Sequence, residues 1–292
     1  MLFDKLCIIG VGLIGSSVAR AARKQGLCKQ VVAFGRETDN PNLVRAKQLG
    51  VVDRFYTDIE PAVTDADCVV IAVPVGAAET IFKLLQPYWN DTAVYTDVCS
   101  TKGSIVSAAK AVFGRVPSNF IPAHPIAGAE RSGVEAGMAD LFENKRLIIT
   151  PLQDSHEVAL EKVTRFWEGM GAAVSLMDVA HHDTVLAATS HLPHILAFAL
   201  VDLLGRKDEQ VEIFKFAAGG FKDFSRIASS DPTMWLDICM ANKQEIIPLI
   251  QQLQAELSKI QQMLEHDESQ QLFATFTYAR EARQRFLDQL EK

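Results

Sequence analysis

Three groups of residues in this 292-residue chain are of types and spacings that could do chemistry. The first is GVGLIG, which sets Gly10, Gly12 and Gly15 in a G-x-G-x-x-G frame. Between a strand and a helix such a frame binds a dinucleotide. The first glycine permits a tight turn, the second lets backbone meet a pyrophosphate, and the third lets helix and strand pack closely. The helix N-terminus adds unpaired N–H groups and partial positive charge for the phosphates. The second group is AHPIAGAERSG, in which His124 precedes Pro125. An imidazole titrates near neutral pH, and a following proline restricts the backbone that carries it. The residues alone leave two readings open: a proton acceptor, or a loop histidine hydrogen-bonded for structure. The third group is SHLPH, where His191 and His194 stand three apart and so share one helix face.

The elements that must position these groups follow from hydrophobic periodicity. KLCII reads as a buried strand, with a helix closed by Gly26 after the glycine turn, and QVVAF reads as a second strand. DCVVIAV runs up to Pro74, AVYTDV is the next strand, and a helix is expected over residues 102–113. NFIPA, RLIIT and AAVSLM complete the strand signals. Strands alternating with helices predict an α/β fold: a Rossmann-like, mostly parallel sheet over residues 1–177. Residues 178–292 show long helical patterns and predict an all-helical second domain for substrate and dimerisation; its apolar faces suit an interface between the subunits of a homodimer, and equally the covering of their own domain.

The second strand bears on the dinucleotide. An acid there usually holds a ribose 2′-hydroxyl, whereas an arginine accommodates a 2′-phosphate. AFGRET puts Arg36 at that place, with Glu37 and Thr38 next. Arg36 favours NADP, and Glu37 keeps NAD open. Leu13, Ile14, Arg36, Thr38 and Pro74 join the three glycines as expected cofactor contacts.

Composition narrows the partners. Hydrophobic residues are 48% and charged residues 22% of the chain, ordinary for a globular protein. A net charge of −7 argues against a nucleic-acid or anionic-membrane surface. The five cysteines are widely spaced and form no CxxC, so neither a disulfide framework nor a zinc site is expected and a reducing cytoplasm fits. No secretory leader is read at the N-terminus. The longest apolar tract, residues 192–204, is interrupted by Pro193, His194 and Asp202, and falls short of a bilayer span.

The motifs VGLIGSS, TDVCSTKGSI, HPIAGAERSG, TSHLPHILAFAL and GGFKDFSRIASSDPTMW occur in that order. Together they resemble the prephenate/arogenate (cyclohexadienyl) dehydrogenases, the enzymes of the last steps to tyrosine. The resemblance implies NAD(P)-dependent oxidative decarboxylation of a small cyclohexadiene substrate, prephenate and/or arogenate. It makes His124 the acceptor of the substrate hydroxyl proton, with Ser100 a donor to the substrate oxygen or to His124. Ser100 also suits a helix N-cap. By the same resemblance His191 and His194 line the substrate pocket, Arg226 binds a carboxylate and Glu130 sits at the rim. The residues leave open an ion pair of Arg226 with Asp223 and a solvated Glu130. Trp235 is either a pocket wall or an interface aromatic, and Lys102 is left uncommitted.

A metal held by His191 and His194 with His181, His182 and Asp183 is set aside, because hydride transfer coupled to decarboxylation needs none. The rival enzyme class is the β-hydroxyacid dehydrogenases, which share a Rossmann domain and a helical domain. They would require a Lys-x-x-x-Asn pair on the interdomain helix, which is not found after Met177. A sensor without turnover would be expected to have lost His124, Ser100 or Arg226.

Overall fold

The computed structural model describes residues 1–35, 41–129 and 131–290. The chain begins with β1 (Phe3–Ile9), α1 (Leu13–Lys24), β2 (Cys28–Phe34), α2 (Pro41–Gln48), β3 (Arg54–Tyr56), α3 (Ile59–Val63) and β4 (Cys68–Ile71). It continues with α4 (Ala78–Leu85), β5 (Val94–Asp97), α5 (Lys102–Phe113) and β6 (Phe120–Ile121). All six strands are parallel, in the order β3-β2-β1-β4-β5-β6. Successive side chains of a strand point to opposite faces. Leu6 and Ile8 therefore meet α1, α2 and a later helix, α6 (Glu157–Gly169), while Cys7 and Ile9 meet α3, α4 and α5. Both faces are covered, which is why these strands read as nearly unbroken apolar runs.

The single sheet expected from sequence is divided. After β6 the chain passes Pro122 and enters a second, three-stranded sheet of β7 (Ala123–Pro125), β8 (Arg146–Ile149) and β9 (Ala173–Leu176). β7 is antiparallel to β8, with His124 opposite Ile148, and β8 is parallel to β9. The expected loop at His124 is thus a strand. Three residues that include a proline carry too little alternation to announce one.

Beyond β9 the described residues are helical: α7 (Val179–Leu186), a π-turn (Ala187–His191), α8 (Leu192–Val211), α9 (Gly219–Ser225), α10 (Pro232–Ala241), α11 (Lys243–Glu265) and α12 (Ser269–Leu290). Pro193 lacks an N–H and crowds the carbonyl four residues back, and the wider π-turn accommodates it without breaking the helix. The helical stretch Val179–Asp208 therefore runs to 30 residues, longer than the tract read from sequence, and an 18-residue window within it, of mean hydropathy 1.5, meets the length and composition of a bilayer span. It also carries two buried histidines, His182 and His191, and the largely buried Asp183. The chain forms two compact units, Met1–Lys243 and Gln244–Lys292. The first contains both sheets and the helices through α10. The second consists of α12 and nearly all of α11.

Candidate active site

In this strand order the direction reverses between β1 and β4, and ligands of open α/β sheets bind at the carboxyl ends of the strands flanking that point. Gly10 follows β1 with φ +94°, and a Cβ there would lie 2.5 Å from the Ala72 carbonyl oxygen. A Cβ on Gly15 would lie 2.0 Å from the Gly10 oxygen. Gly12 differs: it caps α1 without a side chain, and its Cβ would meet nothing within 4 Å. Two glycines thus serve packing, while the third leaves the helix N-terminus open to a phosphate. Leu13 and Ile14 are the half-buried first residues of α1, and Pro74 closes the segment after β4. These residues fit a dinucleotide. Arg36 and Thr38 lie outside the described residues, as does Glu130.

His124 is held on two sides. Asp97, at the end of β5, and Lys102, at the start of α5, form a fully buried ion pair. The Asp97 carboxylate also accepts from the N–H of Cys99 at 2.8 Å and of Ala123 at 3.1 Å. Lys102 Nζ donates to the Ala123 carbonyl at 2.6 Å. Both charges are compensated, and the residue before His124 is clamped at its N–H and its C=O. On the other side, Nδ1 of His124 is 2.9 Å from Nε2 of His182, and Nδ1 of His182 is 2.8 Å from Asp183 Oδ1. Asp183 in turn accepts the first N–H groups of α5, Lys102 and Gly103, each at 2.8 Å. A Cβ on Gly103 would come within 2.8 Å of that carboxylate.

These contacts assign the hydrogens. Burial pushes the Asp183 carboxyl up, but His182 and the two α5 N–H groups outweigh it, so it lies below the ordinary carboxylate value and is ionised. A carboxylate only accepts, so the hydrogen of His182 sits on Nδ1 and its Nε2 accepts. His124 then donates from Nδ1 and keeps its Nε2 lone pair. Burial holds the His124 pKa well below the ordinary histidine value, and the Lys102 charge, His182 and His191 add to that. The ring is a neutral base with a carboxylate two hydrogen bonds away.

The other predicted histidines gather around one aromatic residue. His194 stacks on Trp235 at 3.7 Å between ring centroids, and His191 meets the same indole edge-on at 6.1 Å. His194 Nδ1 donates to the Ser190 carbonyl at 2.9 Å. Burial lowers its pKa and the charge of Arg226 lowers it further, which places the exposed Arg226 within electrostatic reach of His194. Ser100 lies half-buried in the loop between β5 and α5. The N-cap of α5 is Thr101, not Ser100, because the helix begins at Lys102.

Sequence reading missed His182 and Asp183 as a relay, the charge pair of Asp97 and Lys102, and Asn242. Their partners are distant: His182 is 58 residues from His124, and Asn242 is 51 from His191. The available signal was chemical, a His-Asp pair early in a helix with no neighbouring cation to solvate it. Among the described residues no three His, Cys, Asp or Glu side chains are grouped to hold a metal ion.

Comparison with known proteins adds the following. A family model described as "Prephenate dehydrogenase, nucleotide-binding domain" matches residues 18–176. One described as "Prephenate dehydrogenase, dimerization domain" matches residues 178–278. A cyclohexadienyl dehydrogenase of Zymomonas mobilis is 33% identical over 285 residues, covering 97% of this chain and 96% of that protein. A prephenate dehydrogenase of Bacillus subtilis is 35% identical over 284 residues, covering 96% and 75%. The crystal structure of prephenate dehydrogenase from A. aeolicus, in complex with hydroxyphenyl propionate and NAD+, matches with a TM-score of 0.89 at 32% identity, covering 97% of this chain and 98% of that one.

Proposed function

Since the chain belongs to the prephenate dehydrogenase family, we propose that His124 is the proton acceptor of its reaction and that His182 and Asp183 hold it in the reactive tautomer. The enzyme is an NAD(P)-dependent oxidoreductase of tyrosine biosynthesis and carries out oxidative decarboxylation. A dinucleotide held at Gly10, Gly12 and Gly15 would supply the acceptor for the hydride of the substrate's carbinol carbon. His124 Nε2 takes up the hydroxyl proton as carbonyl character develops. It returns that proton to the oxygen once the ring carboxylate leaves as carbon dioxide and its bonding pair completes an aromatic phenol. The positive charge that builds on His124 is shared through His182 with the Asp183 carboxylate, which needs no movement to receive it.

Ser100 is assigned as a hydrogen-bond partner of the reacting oxygen, and Arg226 as the fork for a substrate carboxylate beside His194 and Trp235. His191 is a further pocket residue, and Glu130 is assigned to the rim. Gly10, Gly12, Leu13, Ile14, Gly15 and Pro74 form the cofactor turn. Arg36 favours NADP over NAD, and the substrate is prephenate and/or arogenate. We place the protein in the cytoplasm as a homodimer through its helical region, with residues 1–177 and 178–292 as its two functional parts and neither nucleic acid nor membrane as a partner.

The observation that carries this reading is the His124–His182–Asp183 chain of hydrogen bonds. Replacing His124 with Asn should lower kcat by about 10²–10⁴-fold, the usual worth of a general base, while KM and Tm change little. A rate near that of the wild type would sink the assignment. Steady-state turnover of prephenate and of arogenate, each with NAD and NADP, reads the preferences in one experiment. An equal or higher kcat/KM with NAD overturns the NADP assignment.

A further inference from the structure

Two buried ring nitrogens in the histidine cluster have no hydrogen-bond partner among the described residues: Nε2 of His191 and Nε1 of Trp235. The residues are 1% and 8% exposed, and their rings stand edge to face. The indole nitrogen is always a donor, whereas a histidine nitrogen can be either donor or acceptor. Asn242 decides which. Its amide nitrogen lies 2.9 Å from the main-chain carbonyl of Asp183, which can only accept, so this side of the amide is the NH2 group. The same nitrogen is 3.1 Å from Nδ1 of His191, which therefore receives the second hydrogen. A neutral imidazole with its lone pair on Nδ1 carries its hydrogen on Nε2. Burial pushes His191 down to about 4, with His182 and His194 reinforcing it against Asp183, so the ring is neutral at neutral pH.

We infer that Asn242 is a positioning residue that holds His191 as the Nε2–H tautomer, so that His191 and Trp235 each keep a neutral N–H donor for an acceptor atom of the bound ring substrate. This rests on the reading of the cluster as the substrate pocket. The acceptor is a carboxylate, carbonyl or hydroxyl oxygen, because only an acceptor satisfies two N–H groups withdrawn from water. His191 is also near enough to His124 to depress its pKa. Two histidines of one pocket are thereby set to opposite tasks. Asp183 feeds both: its carboxylate, through His182, leaves His124 with a lone pair, and its carbonyl orients the amide that leaves His191 with a hydrogen.

Ring 15N NMR of the full-length enzyme, with His191 assigned by loss of its signals in His191→Gln, reads the tautomer without disturbing Asn242. The Nε2–H form should be seen, and its resonance should shift when hydroxyphenyl propionate is added. An Nδ1–H tautomer, or no shift at a saturating concentration, overturns the inference. In kinetics, Asn242→Asp offers His191 only an acceptor and should reverse the tautomer. Trp235→Phe removes one donor and keeps the stacked ring, so it serves if the Asp variant folds poorly. Each should raise KM for the ring substrate about tenfold, the worth of one hydrogen bond, with KM for the dinucleotide unchanged within twofold. A loss of dinucleotide affinity, or of kcat alone, overturns the inference. His124→Asn separates the two levels: full activity in that variant removes the reading of the pocket, whereas altered dinucleotide binding in Asn242→Asp removes only the role of Asn242.

Discussion

At the scale of the residue, two histidines are held neutral by burial, and this has a sign. The ordinary value of 6.5 falls to about 4 for His191 and moves well down for His124. A base whose pKa is depressed on folding binds fewer protons folded than unfolded. Its contribution to stability is therefore complete above pH 6.5 and is lost as the pH falls through the folded value. For His191 the window runs from 6.5 to about 4, and the loss there is ~3 kcal/mol. Thermal denaturation should show Tm falling across this window, with a shallower fall in His191→Gln. Catalysis obeys the same direction. His124 stays unprotonated well below the usual histidine range, so the acid limb of kcat/KM should lie below pH 6.5. An acid limb centred at or above 6.5 would contradict the burial of this base.

At the scale of the element, the site is made by the ends of elements rather than by their middles. The α5 N-terminus receives the Asp183 carboxylate, α7 presents His182, and β7 fixes His124 between Asp97, Lys102 and Ile148. The π-turn lets one helix carry His182, His191 and His194 past Pro193. The glycine turn gives a contrast that can be measured. Gly15→Ala drives a Cβ into the Gly10 carbonyl and should cost at least about 1–3 kcal/mol, seen as a lower Tm. Gly12→Ala meets open space in the free protein. It should leave Tm nearly unchanged and raise KM for the dinucleotide several-fold. Equal losses of Tm in both variants would show that Gly12, too, serves packing. The turn and the bounds of α5 were legible in the sequence because glycine spacing and helix periodicity are local. The division of the sheet at β7 was not, since its pairing with β8 depends on residues more than twenty positions away.

At the scale of the whole molecule, the second unit exposes large apolar side chains along both of its helices. Leu264 is 61% exposed, Phe273 73% and Phe276 56%. The proposed homodimer would bury this apolar area. Light scattering should give about twice the chain mass of 32.1 kDa. Phe276→Glu should shift the protein toward one copy, and a wild-type monomer at micromolar concentration would remove the proposal. The sequence by itself determined the dinucleotide turn, the alternation of strands and helices that sets it at a sheet edge, and the helical second half, each of which rests on residue type and spacing within a short stretch. The candidacy of His124, His191, His194 and Arg226 came from the family resemblance of the motifs that hold them. Only the tertiary structure decided which way each proton faces. An imidazole has two nitrogens, and which one holds the hydrogen depends on the group opposite. For His124 that group is His182 and for His191 it is Asn242, both brought into contact by the fold from far along the chain.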